Sequence, residues 1–226
     1  MKPTYLSYAQ IQEDISLLSY LHDINNGFYL DIGANDPQRL SVTKMFYDHG
    51  WHGINIEPLP DMHAKLKAAR PRDISIRAAT GVHDGQMSLH VDGVLSSFIP
   101  TRGKKDKVIK VSVRNVTNLL REYIDLNTQP IHFCKIDVEG FEKETLQGFD
   151  FQVLRPWIFV IEANKGRDGL TARQLWGPIL TSNGYKLSGH DKLNDYYVDV
   201  VSHPELITSW WNPQELRSHY DIKILK

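Results

Sequence analysis

The sequence predicts a doubly wound α/β fold, and three observations carry that prediction. Short apolar runs at Phe28 to Ile32, Gly53 to Ile56, Ile74 to Ala79, Ile131 to Ile136 and Trp157 to Ile161 read as strands that are apolar on both faces. Helical patterns fall between several of them, at Val42 to His49, Met62 to Ala69, Val116 to Ile124, Glu142 to Leu146 and Ala172 to Ser182. Strands that alternate with helices and are buried on both faces form a mostly parallel sheet covered on each side. A length of 226 residues suffices for one sizeable core and is short for two, so residues 1–226 read as a single domain.

Taken in order, residues 1–26 read as an N-terminal helical cap. Ile11, Ile15, Leu17, Leu18 and Leu21 share one helix face, and Asn25, Asn26 and Gly27 end it. The alternation breaks at 86–113, where Gln86 to Pro100 and Val108 to Val113 flank Gly93 as an inserted β excursion. Tyr185 to Gly189 and Asn194 to Val200 flank a turn with Asp191 and Lys192, a closing antiparallel hairpin. The C-terminal tail, 201–226, carries Trp210 and Trp211, which suit anchoring on the core, stacking on a sugar ring or a homodimer contact.

A hydrophobic share of 41% and a charged share of 23% are those of an ordinary globular chain. A net charge of -1 provides no general field for a phosphate backbone, so no nucleic-acid partner is expected. The local basic run of Arg102, Lys104, Lys105, Lys107 and Lys110 reads as a solvated loop or a contact for an anionic acceptor. The single cysteine, Cys134, lies in an apolar run and reads as core. No signal pattern and no run of ~18 apolar residues is present, so no membrane span and a cytoplasmic location are the expectation.

In a doubly wound sheet, ligands bind beyond the carboxyl ends of the strands. The first strand runs into Asp31-Ile32-Gly33-Ala34-Asn35-Asp36, where Gly33 and small Ala34 let backbone approach a ligand. Asp31 suits an amine or nearby N–H groups. The second strand ends at Glu57, 26 positions beyond Asp31, near the spacing at which an acid accepts hydrogen bonds from a ribose diol. Pro58 then ends the strand. A pyrophosphate requires a glycine-rich turn feeding a helix N-terminus. Gly-Ala-Asn-Asp-Pro has one glycine, and an acid stands at position 36, so a dinucleotide is disfavoured and a cationic sulfonium such as S-adenosylmethionine is favoured.

These residues resemble the FkbM-type methyltransferases. The resemblance is carried by F-Y-L-D-I-G-A-N-D-P from Phe28, G-W-H-G-I-N-I-E-P from Gly50, A-A-T-G from Ala78 with Asp84-Gly85, and L-S-S-F from Leu95. H-F-C-K-I-D-V-E-G from His132, R-P-W-I-F-V-I-E-A from Arg155 and L-N-D-Y-Y-V from Leu193 complete it. Ser97 where Thr is usual and Asp195 where Arg is common are its departures. The resemblance implies a Rossmann-like class I methyltransferase fold, S-adenosylmethionine as donor and a hydroxyl acceptor, on a sugar of a glycan or on a polyketide-like product. It implies Asp31, Gly33 and Asn35 at the methionine end of the donor, with Ala34 in the same turn. Glu57 and Pro58 then stand at the ribose, and Thr80 to Asp84 with Ser96 or Ser97 near the adenine.

Methyl transfer to oxygen needs the acceptor aligned behind the methyl carbon and its proton removed. Asp137 and Glu139 follow the strand Ile131 to Ile136, where mutual repulsion or burial raises one carboxyl toward the range of a useful base. Glu139 is the expected base and Asp137 the residue that orients donor or acceptor. Lys135 alternates with Ile136 and points to the other face. An oxygen-rich Mg²⁺ site from Asp137, Glu162 and Asn164 is the competing arrangement. His190, Asp191, Asn194 and Tyr196 sit on a late loop able to reach the acceptor, whereas His49, His52, His63 and His83 read as surface or capping residues. A methyltransferase of nucleic acid and a non-catalytic donor-binding module are the alternative functions.

Overall fold

The computed structural model describes residues 2–91, 107–163, 172–208 and 213–225. The core strands are β2 (Phe28–Ile32), β3 (His52–Ile56), β4 (Ile74–Ile76), β8 (Phe133–Ile136), β9 (Ile158–Glu162), β10 (Tyr185–His190) and β11 (Asn194–Asp199). They form one sheet in the order β10-β11-β9-β8-β2-β3-β4. From β4 through β9 every pairing is parallel, and β11 is antiparallel to both of its neighbours. The order reverses between β2 and β8, which makes that junction the switch point where ligands bind.

Alternate residues on each strand supply two cores. Leu30, Ile32, Cys134, Ile136, Phe159 and Ile161 pack with helices α4 (Val116–Arg121), α5 (Glu142–Leu146) and α6 (Ala172–Ser182). Tyr29, Phe133, Ile158, Val160, Tyr196 and Val198 pack with α1 (Glu13–Leu21) and α2 (Lys44–Asp48). β2 and β8 are buried at every position, as strands covered on both faces must be. Cys134 is fully enclosed there, matching its apolar surroundings.

Two differences from the sequence expectation have physical causes. The run Ile74 to Ala79 divides: β4 ends at Ile76, and Ala79–Gly81 forms β5 of a separate three-stranded sheet with β6 (Gly85–Val91) and β7 (Lys107–Asn115). An apolar run cannot by itself report which sheet its two halves join. The N-terminal cap holds a strand as well as a helix: β1 (Thr4–Ser7) pairs in parallel with β12 (Asp221–Ile224), tying the two ends together. Such a pairing spans most of the chain and leaves no local signature. The helix begins at Glu13 because the buried Asp14 carboxylate accepts N–H bonds from Tyr8 at 2.9 Å and Ile15 at 2.8 Å and the Ser7 hydroxyl at 2.7 Å. α3 (Pro60–Ala69) packs against β4, and the tail contains α7 (Pro213–His219), which contacts α1. Among the described residues no helix is long and apolar enough to cross a membrane.

Candidate active site

β2 runs into a turn that only particular residues can form. Gly33 has φ of +80°, and a Cβ there would lie 1.9 Å from the Asp137 carbonyl oxygen. Asn35 follows at φ 50°, a left-handed position that Asn tolerates better than most residues. The N–H groups of Gly33 and Ala34 bond the Ile56 carbonyl at 2.9 and 3.2 Å, which locks the turn to β3. Glu57 at the end of β3 accepts N–H bonds from Asn35 and Leu59, each at 2.8 Å, so its carboxylate is fixed between two loops. Burial raises its pKa against these bonds.

A slot of about 60 Å³ opens there. Ile32, Ile56, Leu59, Ala78, Ala79, Leu89 and Val138 give it apolar walls, and Gly33, Asn35, Glu57, Pro58, Thr80, Asp137 and Glu139 line the rest. Thr80 is buried with its hydroxyl 2.7 Å from that of Thr145, so it ties β5 to α5 beside the slot. A wider cavity of about 450 Å³ shares Gly33, Asn35, Asp137 and Glu139 with the slot. It adds Ala34, Glu13, Asp36, Arg39, Lys65, Lys135, Glu162 and Asn194 among others.

The carboxylates meet where the two spaces share their walls. Asp137, Glu139 and Glu162 each bring an oxygen within 4.8 Å of the other two. Burial, then the charges of Asp137 and Glu142, push the Glu139 carboxyl up to about 7. Glu162 is pushed up to about 9 by burial and by the neighbouring Asp137, Glu139 and Glu142, and it shares a hydrogen bond with Asp137. Glu139 is held in the left-handed region at φ 52°, followed by Gly140 at φ 96°. Residues other than glycine rarely adopt that region, and such strain of order 1–3 kcal/mol is concentrated at functional positions. Glu142 accepts the N–H bonds of Val138 and Gly140 at 3.2 and 3.1 Å and so shapes the turn that presents Glu139.

Two of the expected donor residues stand outside the lining of these two spaces. Asp31 lines neither space: it is buried, accepts the Thr43 hydroxyl at 2.7 Å, and lies behind Lys135, whose Nζ is 3.9 Å away. Asp84 is also outside both walls and instead accepts the Asn115 N–H at 2.7 Å and Arg114 Nε at 3.1 Å, pinning β7. Lys135 does turn to the face opposite Ile136, but at this level of the sheet that face is the cavity. Its Nζ donates to the Gly33 carbonyl at 3.1 Å and lies 3.2 Å from Asp137. Its register with Asp31 on the neighbouring strand brings it there, and no short window of sequence reports that pairing. Glu13, another cavity residue, comes from the N-terminal segment, which the sequence pattern marks only as a helical cap. The late hairpin contributes Leu193 and Asn194, with Asn194 Nδ2 3.3 Å from Glu13. Asp191 is occupied by the Leu193 and Asn194 N–H groups and the Tyr196 hydroxyl, and His190 and Arg173 bond Asp195. Ser96, Ser97, Asn164, Trp210, Trp211, Arg102, Lys104 and Lys105 lie outside the described residues.

Residues 31–187 match the methyltransferase FkbM domain, which is well over half of the chain. The chain belongs to the FkbM methyltransferase family. No curated protein matches it. Among solved structures it is similar to a precorrin-6y C5,15-methyltransferase from Geobacter metallireducens at 12% identity and a TM-score of 0.45, covering 87% of this chain and 91% of that one. A TehB-like SAM-dependent methyltransferase from Corynebacterium glutamicum is similar at 10% identity and a TM-score of 0.44, covering 84% and 88%. Aeropyrum pernix fibrillarin, in complex with S-adenosyl-L-methionine, is similar at 10% identity and a TM-score of 0.42, covering 81% and 73%.

As a family member the chain is a methyltransferase that uses S-adenosylmethionine. The residues fit that donor. The apolar slot suits a flat base, Glu57 suits a ribose diol, and five carboxylates among the cavity residues suit a sulfonium and an ammonium. When bound, the donor supplies an electrophilic methyl carbon on a positively charged sulfur.

Proposed function

We propose that this methyltransferase methylates a hydroxyl oxygen on a sugar of a glycan or glycosylated metabolite. In this reading Asp137 orients the reactants and Glu139 is the base. The observation that carries it is the position and poise of Glu139: it borders both the slot and the wider cavity, with its pKa raised to about 7. A carboxyl in that range holds enough unprotonated form at neutral pH to accept a hydroxyl proton and is basic enough for the transfer to help. Gly33, Asn35, Glu57, Pro58 and Thr80 hold the donor in the slot, with Ala34 on the cavity side. The polar cavity wall of Gln10, Glu13 and Asn194 matches an acceptor with several hydroxyls. Methyl transfer to a panel of oligosaccharides, sugar nucleotides and lipid-linked glycans tests the proposal. It is supported by methylation of a sugar hydroxyl and refuted if only nitrogen, sulfur or carbon is methylated.

A second reading has its own observation. The oxygens of Asp137, Glu139 and Glu162 are close enough together to hold a divalent cation such as Mg²⁺, with Glu139 among the ligands and Asn164 outside the described residues. The Lys135 ammonium against Asp137 already supplies one positive charge at this place, which favours the metal-free arrangement. Transfer unchanged after exhaustive EDTA treatment and metal-free dialysis excludes the metal.

A further inference from the structure

The acid-rich cavity explains the positive groups of S-adenosylmethionine and leaves its α-carboxylate without an evident partner. Of the described residues lining the cavity, Arg39, Lys65 and Lys135 carry positive side chains. Arg39 is exposed, and Lys65 is 54% exposed with Asp36 3.8 Å away, so both stand at the rim. Water screens charges at such positions, and long side chains lose entropy when held there. Lys135 differs: its side chain is 11% exposed and borders the cavity beside the Gly33 turn.

An ammonium has three N–H donors. One is used by the Gly33 carbonyl at 3.1 Å, and a second faces Asp137 at 3.2 Å. Asp31 Oδ1 lies 3.9 Å away, beyond hydrogen-bond reach, and has no hydrogen-bond partner among the described residues. Among the described residues, a donor therefore remains for a ligand in the cavity. Asp31 is itself braced from behind, because the Thr43 hydroxyl bonds Asp31 while accepting Arg70 Nη1 at 2.6 Å. Arg70 is anchored by the Pro37 carbonyl and the Ser41 hydroxyl. The lysine is thus a cation fixed in place before any ligand arrives.

We infer that Lys135 holds the α-carboxylate of the donor's amino-acid tail, with Asp31 as a positioning residue that keeps the ammonium at the cavity floor. Asp137 at 3.2 Å and Asp31 at 3.9 Å flank the Lys135 Nζ and favour its ammonium form. The inference concerns the donor alone and stands whatever the acceptor is.

Calorimetric titration with S-adenosylhomocysteine and with its decarboxylated analogue tests it. The analogue keeps the adenosine, the thioether and the ammonium, so the ratio of the two affinities isolates the carboxylate. The wild type is expected to bind S-adenosylhomocysteine about tenfold to hundredfold more tightly, the range for one charged hydrogen bond. Lys135→Met should reduce that ratio below about threefold, and Lys135→Arg should restore part of it. Arg39→Ala and Lys65→Ala remove the same charge from the rim and should leave the ratio unchanged. If Lys135→Met does not fold, Lys135→Gln, which keeps an N–H donor and loses the charge, carries the same comparison. A wild type that does not discriminate, a lysine variant with an undiminished ratio, or a rim variant that erases it overturns the inference.

Discussion

Replacing Glu139 by Gln keeps the shape of the side chain and removes its ability to take a proton. Position 139 borders both the donor slot and the wider cavity, and its backbone is held at φ 52° by the turn that Glu142 organises. Gln imposes no new backbone demand, so the fold and donor affinity should remain. A positioned base contributes about 10² to 10⁴ in rate, and kcat should fall by that factor, equivalent to about 3–5 kcal/mol of barrier. The pH dependence adds a second, independent reading. The active form is the unprotonated carboxylate, and burial with the Asp137 and Glu142 charges places the carboxyl at about 7. The rate should therefore rise about tenfold per pH unit below neutrality and level off above it, whereas the variant should lose that limb. Initial rates from pH 5.5 to 9 with isotopically labelled S-adenosylmethionine provide both readings. A variant within about fivefold of the wild type, or one with the same acid limb, refutes the assignment of Glu139 as base.

Other expectations follow from the same geometry. The Glu162 carboxyl has a folded value raised from 4.5 to about 9, so the folded chain keeps a proton that the unfolded chain loses through that window. Stability should fall as pH rises from about 4.5 to 9, and Glu162→Gln should remove much of the slope and raise Tm at pH 8 by about 2–4 °C per kcal/mol relieved, checked by thermal melts across pH. Gly33→Ala forces a Cβ to 1.9 Å from the Asp137 carbonyl at a left-handed φ, so calorimetry and melts should show lost donor binding and a destabilisation of at least about 2 kcal/mol. Glu57→Ala removes the acceptor for two loop N–H groups and the expected ribose ligand, and donor Kd should rise at least about tenfold. Asp84→Ala, by contrast, should leave donor Kd within about twofold while lowering stability by about 1 kcal/mol or less, because Asp84 holds β7 from outside the slot.

What was legible in the sequence was whatever local pattern determines. Mainly apolar runs announced β2, β8 and β9, with Asp31 and Lys135 the charged exceptions inside the first two, because a strand covered on both faces has no solvent side. The acids and glycine at the ends of β2, β3, β8 and β9 pointed to Gly33, Glu57, Asp137 and Glu162, since strand ends at a switch point converge in space. Less legible was anything set by pairing across distance. Lys135 became a site residue only through its register with Asp31 on the neighbouring strand, and that same lysine screens Asp31 from the cavity. Glu13 reaches the cavity because β1 pairs with β12 and Asp14 fixes the start of α1, contacts that no short window encodes. Asp84 stands apart from the slot for the converse reason: it follows β5, but β5 belongs to the small sheet, so the rule for core strand ends does not reach it.

The measurement that bears most directly on the central reading is the chemical position of the transferred methyl group. With S-adenosylmethionine carrying a ¹³C-labelled methyl and the glycan panel as acceptors, NMR of the purified product distinguishes a methyl on oxygen from one on nitrogen, sulfur or carbon. A methyl ether on a sugar hydroxyl, formed by the wild type and reduced at least about a hundredfold in rate by Glu139→Gln, is the predicted result. A label found only on a non-oxygen atom, or a sugar ether formed equally well by Glu139→Gln, would contradict it.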